Sequence, residues 1–321
     1  MTKIISSGSV QSALQTLLFS NDTLQKTQER VTSGYKIASA ADNSGYWSTA
    51  TNLKSDGNVL SSVGDALNLG ASKADTAYEA VSSMIDVVDQ IMTQLTTAYE
   101  TGADRGQINN AMDALKENLY TIAQAATFSG DNWLFNSSEQ LPAEKSVPFS
   151  FHKNVSGAIS LEYLSVNTTE TTMVDTNDAS RGLMTAGMDA SARDGDPSST
   201  PREYYLLDAQ SSNPASGTEI SVSDATTREE LDDMVYVVGQ LSVKLNQLGS
   251  SLGTMSNRMD QQTTFVSSLK DSMDKSVSRL VDANMEEEST RLTAYKTQRD
   301  LAVEVVSMAN NHRRSLAGLF G

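Results

Sequence analysis

The 321-residue chain contains no cysteine and few aromatic residues. The absence of cysteine excludes disulfide bonds, thiolate metal sites and thiol nucleophiles. Phenylalanine, tyrosine and tryptophan together make up 6% of the residues, which disfavours a large globular core. No stretch approaches the roughly 18 consecutive apolar residues of a membrane span, and Met1–Gly8 has too few apolar residues to be the core of a cleavable secretion signal. We therefore expect no membrane insertion.

Basic residues are scarce relative to acidic ones. The chain has 24 lysines and arginines against 40 aspartates and glutamates, which gives a formal net charge of −16 at pH 7. Proteins that bind nucleic acids or anionic lipids do so through a basic surface. The charge therefore predicts no nucleic-acid partner, and its simplest effect is solubility.

Residue clusters that carry catalysis or bind metals are also missing. His152 and His312 lie far apart in the sequence, and no His-x-x-x-His motif is present. Asp282 and Glu286–Glu288 form an acidic cluster, but a calcium loop needs a turning backbone with a glycine, and a helix is predicted here. We interpret the cluster as a solvated or arginine-paired helix face. We expect no catalytic residue, no cofactor, no metal and no enzyme activity.

What the chain does contain is long amphipathic helices. From residue 231 onwards, apolar residues alternate at spacings of three and four, as along one stripe of a coiled-coil helix. The stripe, interrupted at Gln262 and Ser276, comprises Leu231, Met234, Val238, Leu241, Leu245, Leu248, Leu252, Met255, Met259, Val266, Leu269, Met273 and Leu280. Because neither glycine nor proline occurs between Gly253 and Gly318, we expect one uninterrupted helix through this region.

Three more helices are predicted in the N-terminal half. The first spans Ser9–Ser33, and its stripe is half polar because Asn21 and Gln28 alternate with the apolar residues. Such a helix is marginal alone and is expected to order only against partners. The same alternation recurs over residues 60–98 and 108–126, separated by a loop that contains Gly102 and Gly106.

The middle of the chain differs in composition. All five prolines lie between residues 142 and 214, and short strands are predicted near residues 159–163, 204–207 and 219–222. A capping-box pattern at residues 226–230 then starts the long helix. We therefore predict a mainly α fold, with long antiparallel coiled-coil or helical-bundle arms from both termini and a small β-rich domain from the middle of the chain.

One N-terminal segment resembles a known family. Its residues form an Arg-x-x-Ser-Gly turn and a Ser-Ala-x-Asp-Asn cap: Arg30, Ser33, Gly34, Ser39, Asp42 and Asn43. This pattern is similar to the N-terminal signature of bacterial flagellins. The pair Tyr46-Trp47 is similar to the rhizobial (alphaproteobacterial) subgroup. Further matches at residues 128–134, 252–258 and 280–292 extend the resemblance over about residues 1–135 and 228–321.

The resemblance implies a three-part architecture. Residues 1–44 with 281–321 would form an inner-core terminal coiled coil, and residues 45–140 with 225–280 a helical shell with a short β element. Residues 141–224 would form a variable β-rich outer domain. The polymerisation seam is predicted at Val10, Leu14, Leu17, Leu24, Val31, Leu292, Tyr295, Leu301, Val305, Met308 and Leu316.

The function implied is that of a structural subunit that polymerises into the flagellar filament, the helical propeller for swimming. Its partners would be copies of itself, other flagellins of the same cell, the flagellar export apparatus and chaperone, and the filament cap and hook–filament junction proteins. Export without a cleaved leader would place it outside the cell. Two alternatives are open: a hook–filament junction protein of the same family, and a soluble coiled-coil secretion cofactor.

Overall fold

The computed structural model describes residues 3–142, 144–154, 159–194 and 201–320. Long helices dominate it, as the apolar alternation predicts. The helices are α1 (Lys3–Ser33), α2 (Ser44–Thr97), α3 (Arg105–Ala125), the single turn α4 (Thr168–Thr171), α5 (Arg228–Val281) and α6 (Met285–Phe320). The predicted capping box is present at the start of α5, where Thr227 Oγ1 accepts a hydrogen bond from the Glu230 amide at 3.2 Å and Glu230 Oε2 accepts one from the Thr227 amide at 2.7 Å.

Strands occupy the region between α3 and α5. They are β1 (Thr127–Phe128), β2 (Asp131–Asn132), β3 (Phe135–Asn136), β4 (Lys145–Lys153), β5 (Ile159–Val166), β6 (Val174–Asp175), β7 (Met188–Asp189), β8 (Glu203–Tyr205) and β9 (Thr218–Glu219). The pairs β1–β2 and β4–β5 are antiparallel, β3–β6 is parallel, and β7, β8 and β9 form a three-stranded sheet. The predicted mainly α fold with a small strand-containing middle is confirmed.

The chain divides into two compact units. The terminal unit comprises Met1–Val59 and Ser268–Gly321, and the central unit comprises Leu60–Ser267. The core of the central unit contains much of the predicted apolar stripe of α5, together with buried residues of α2, α3 and the strands. Fully buried members include Met84, Ile91, Leu95, Met112, Leu119, Leu134, Met173 and Ile220. A small core in the terminal unit contains Ala50, Val277 and Val281.

Gly70 is the one residue on the stripe of α2 that has no side chain, and the structure gives the reason. A Cβ atom at Gly70 would lie 2.5 Å from Val147 Cγ1, so strand β4 fills the place that a larger residue would take. Glycine within a helix ordinarily costs about 0.5–1 kcal/mol relative to alanine. That cost is offset here by the close approach of β4.

Replacing Gly70 by alanine is therefore expected to destabilise the protein by about 1 kcal/mol, because overpacking outweighs the gain in helix propensity. The measurement is chemical denaturation of the variant beside the wild type. Gly64→Ala is the control on the same helix, since its Cβ would meet Val266 Cγ1 at an ordinary 3.6 Å. We expect that control to be neutral or stabilising, and a Gly70→Ala variant as stable as Gly64→Ala would contradict the packing argument.

A charged cluster joins the middle of the chain to the first turns of α5. Asp233 is almost fully buried and accepts two hydrogen bonds from Arg202. They join Nε to Oδ2 at 2.7 Å and Nη2 to Oδ1 at 3.2 Å. Arg193 contacts Asp233 at 3.3 Å and Asp232 at 3.1 Å. The Tyr99 hydroxyl donates to Asp232 Oδ1 at 2.6 Å. Burial, followed by this hydrogen bond, raises the pKa of Tyr99, and the same bond lowers the pKa of Asp232.

The expectation of one uninterrupted helix up to Gly318 is wrong. Helix α5 ends at Val281 and α6 begins at Met285, although the three residues between them include neither glycine nor proline. The cause lies in contacts made by the connection between α1 and α2, which belong to the candidate functional site.

Candidate functional site

Helices α1 and α6 pack against each other in the terminal unit. Arg30, near the end of α1, lies 3.7 Å from Glu288, near the start of α6, measured from Nη1 to Oε1. The two helices therefore run antiparallel, which brings the two ends of the chain into one structural unit.

The stripe that each helix buries is lean in large apolar residues. On α1 the most buried positions are Ser20, Leu24 and Thr27, and on α6 they are Glu288 and Ala302. Half-buried residues complete the two stripes: Ala13, Leu17 and Val31 on α1, and Leu292, Tyr295, Arg299 and Val306 on α6. Small and polar residues remove little apolar surface from water, so this pair alone supplies only modest stabilisation.

Large apolar side chains lie instead on the exposed surfaces of both helices. On α1, Leu18 and Phe19 are 61% and 67% exposed, and Leu14 is about half exposed. On α6 the exposed set is Leu301, Val303, Val305 and Met308. We call these seven residues the exposed apolar face. Large apolar side chains exposed in this number on one pair of helices are typical of a surface that another protein covers.

The predicted seam residues separate into two groups in the structure. Leu17, Leu24, Val31, Leu292 and Tyr295 lie on the stripes between α1 and α6, while Leu14, Leu301, Val305 and Met308 lie on the exposed apolar face. Val10 and Leu316 lie outside the residues whose side chains the structure describes. The role of these residues in polymerisation stays a prediction.

Sequence reasoning missed three members of the exposed apolar face: Leu18, Phe19 and Val303. The predicted seam followed a single alternation of threes and fours, and these residues lie beside it. The available signal was the presence of large apolar residues off the stripe of a marginal helix, which implies a second buried face in an assembly.

The connection between α1 and α2 has the geometry that its sequence predicts. Gly34 has a φ of +75°, and its amide closes α1 by donating to the Arg30 carbonyl at 2.8 Å. The Asp42 carboxylate accepts hydrogen bonds from the backbone amides of Ala38 and Ser39, and the Ser39 amide is the main cause of the lowered pKa of Asp42. Asn43 Oδ1 caps α2 by accepting from the Tyr46 amide at 3.1 Å.

This connection also interrupts the long C-terminal helix. The Ala283 amide donates to the Gly34 carbonyl, and the Lys36 amide donates to the Val281 carbonyl, each at 2.8 Å. Tyr35 and Asp282 form an isolated antiparallel bridge. These bonds occupy backbone groups that a continuous helix would use, and α6 begins anew at Met285, where Asn284 Oδ1 accepts from the Glu286 amide at 3.2 Å.

The acidic cluster around the start of α6 is only partly solvated. Glu286 and Glu287 are exposed, and Glu287 pairs with Arg291 at 2.6 Å. Glu288 differs because its side chain is 7% exposed, between Arg30 and Arg291. A buried carboxylate in a helix pair favours one register, because a shift of α1 along α6 would separate Glu288 from Arg30.

Nothing in the described part of the chain groups three or more His, Asp or Glu side chains in a way that could hold a metal ion. Across those same residues, no helix is both long enough and apolar enough to cross a membrane.

The fold and the site together define a class: a helical structural protein whose two ends pair and expose an apolar face. Comparison with protein families agrees. Residues 4–139 match the family described as the bacterial flagellin N-terminal helical region, and residues 235–320 match the bacterial flagellin C-terminal helical region. The chain belongs to the bacterial flagellin family, the structural subunits of the flagellar filament.

Individual relatives extend the match over the full chain. It is 42% identical over 320 residues to flagellin C of Rhizobium meliloti strain 1021, covering 100% of this chain and 99% of the relative. It is 34% identical to flagellin A of the same strain, with 100% of both chains covered. A flagellin of Brucella melitensis biotype 1 is 32% identical over 321 residues, again with 100% of this chain and 99% of the relative covered. The resemblance to rhizobial flagellins is confirmed.

Proposed function

We propose that this flagellin polymerises through its terminal unit, by burying the exposed apolar face of α1 and α6 between neighbouring subunits. The observation that carries this proposal is the exposure of large apolar side chains on two helices that bury several small or polar residues between them. Leu18 and Phe19 are more than half exposed, whereas Ser20 and Thr27 are buried. Association would remove these exposed apolar side chains from water, which lowers the free energy.

The pairing of α1 with α6 supports this proposal because it places the two apolar surfaces in one unit. A surface contributed by two helices can make larger contacts than either helix alone. The Arg30–Glu288 ion pair and the hydrogen bond from the Ala283 amide to the Gly34 carbonyl would fix the register of the pair at one end. Every subunit would therefore present the same face, as a helical homopolymer requires.

We also propose the three-part division for the assembled state. Residues 1–44 with 281–321 would form the filament core, residues 45–140 with 225–280 the surrounding shell, and residues 141–224 the outer surface. In the cell, the partners would be the flagellar export apparatus and chaperone, the filament cap, the hook–filament junction proteins and other flagellins. Export through that apparatus would deliver the chain to an extracellular filament, where its role is structural and involves no catalysis.

Seeded growth tests the proposal directly. Purified monomer is added to short fragments of its own filaments, and filament length is followed by electron microscopy. Continued growth at both low and high monomer excess supports an open-ended filament subunit. A single added layer, or a discrete oligomer in light scattering, would contradict the proposal and would instead match a junction protein or a secretion cofactor. Neither the family matches nor the names of the relatives favour the junction alternative.

Sulfate is expected to shorten the lag before filament growth. Each subunit carries a formal net charge of −16, so repulsion opposes dense packing, and salt screens it. Sulfate additionally strengthens apolar burial because it is excluded from protein surfaces. The measurement is turbidity against time at constant monomer concentration, with sodium chloride at equal ionic strength as the control. A lag that lengthens in sulfate would contradict this expectation.

A further inference from the structure

A small cleft with aromatic walls lies at the start of α2, within the terminal unit. It has a volume of about 70 Å³ and is bordered by Tyr35, Ile37, Trp47, Ala50 and Lys54. Tyr35 and Trp47 are each 39% exposed, while Ala50, which also borders the cleft, is buried. We call this feature the aromatic notch.

The walls of the aromatic notch are held in place by contacts already formed in the single chain. The bridge between Tyr35 and Asp282 fixes the backbone of one wall. The Lys54 ammonium lies 5.0 Å from the centroid of the Tyr35 ring, in a cation–π contact. On the other wall, the Trp47 amide donates to the Asn43 carbonyl at 2.9 Å. A preformed cleft loses little conformational entropy when it receives a partner.

The placement of tryptophan singles this cleft out. The chain has two tryptophans, and the other, Trp133, is 3% exposed in the core of the central unit. Core packing therefore accounts for Trp133 but not for Trp47. Exposed tryptophan and tyrosine beside a fixed pocket are the residues that dominate binding energy at protein interfaces.

We propose that the aromatic notch is a docking site for a second copy of this chain in the filament. The inference rests on the proposed function. A second copy is the expected occupant because the notch lies in the same unit as the exposed apolar face through which copies would associate. Tyr35 lies two residues beyond the end of α1, in the same unit as the exposed apolar face. Charge agrees as well, because Lys54 borders the notch and a second copy has an excess of carboxylates. A cleft of this size admits one small apolar side chain of the neighbour.

Tryptophan fluorescence tests the docking without disturbing the notch. Trp133→Phe leaves Trp47 as the sole tryptophan, and among the described residues Trp133 Nε1 has no hydrogen-bond partner to lose. On seeded polymerisation, we expect the emission of Trp47 to shift to the blue and its acrylamide quenching constant to fall about threefold, because interface cores pack as densely as protein interiors. The reciprocal variant, Trp47→Phe, reports Trp133, which is already buried and should change little.

The outcomes separate this inference from the proposed function. If filaments grow and Trp47 stays as quenchable as in monomer, the notch does not dock a neighbour, although the chain still polymerises. If wild-type monomer does not extend seeds at all, the proposed function itself fails. Should Trp133→Phe alone fail to polymerise, the wild-type filament spectrum minus that of the Trp47→Phe filament gives the same readout.

A substitution provides a second, independent measurement. Trp47→Ser is expected to raise the critical monomer concentration by about tenfold, as the loss of an interface anchor does. Tyr46→Ser is the matched control, since Tyr46 is exposed on the same helical turn but does not border the notch. We expect it to have a smaller effect. A critical concentration unchanged by Trp47→Ser would overturn the proposal.

Discussion

Replacing Val305 by aspartate is expected to abolish seeded filament growth while the isolated chain keeps its helical content. Val305 is 47% exposed on α6 and lies off the stripe that contacts α1, so the pair can form with either residue. In a filament that buries the exposed apolar face, the new carboxylate would lose water without gaining a partner. A cost of about 4 kcal/mol raises the critical concentration roughly a thousandfold, which places polymerisation out of reach.

The measurement combines sedimentation of polymer with circular dichroism of monomer. Val305→Ile is the control that keeps the side chain apolar, and it should polymerise at close to the wild-type concentration. Leu24→Asp is the informative contrast, because Leu24 is buried on the α1 stripe and its replacement should reduce monomer helicity as well. Normal growth of Val305→Asp filaments would show that the exposed apolar face is not buried between subunits.

Replacing Asp233 by alanine is expected to lower the free energy of unfolding of the central unit by about 3–5 kcal/mol. The Asp233 side chain is 1% exposed and contacts both Arg202 and Arg193, so its removal takes a buried charge partner away from each of these two cations. Thermal and denaturant unfolding of the variant measure the loss. Asp260→Ala, an exposed aspartate on the same helix, should change stability by less than about 0.5 kcal/mol.

A double variant tests the mechanism of this loss. If the cost comes from stranded charge, then Asp233→Ala combined with Arg202→Ala should cost clearly less than the sum of the two single variants. Additive costs would mean that the cluster contributes through packing rather than through charge pairing. Either double-variant result can be read only if Asp233→Ala is destabilising beyond its control.

The regular helices could be predicted because their pattern is local and repeated. Leu231, Leu241 and Leu252, picked out by alternating spacings, are each about 1% exposed in the core. The signature turn was equally accessible, since Gly34 and Asn43 belong to residue types with specific backbone roles. In both cases the information lies within a few residues of the feature itself.

The features that escaped prediction depend on partners distant in the sequence. The break after Val281 arises from bonds to Gly34 and Lys36, and no glycine or proline marks it. Strands β6 and β7 are each two residues long, too short for any alternation to emerge. The charged cluster joins Tyr99 and Arg202 to α5, and neither has a sequence neighbour that signals the contact.

The position of the charged cluster determines where a segment should be cut if it is to be exchanged between flagellins. Arg193, Arg202, Asp232 and Asp233 all fall between the two family matches, which end at residue 139 and resume at residue 235. A transplant of residues 140–234 as one block would carry both halves of every ion pair among these four, and the recipient would supply the counterpart of Tyr99, whose hydroxyl bonds to Asp232. A block that ends before residue 232 would instead place Arg193 and Arg202 beside a helix of the recipient. That helix need not have acidic residues at the positions of Asp232 and Asp233. The natural graft boundary therefore lies inside the first turns of α5 rather than at its beginning.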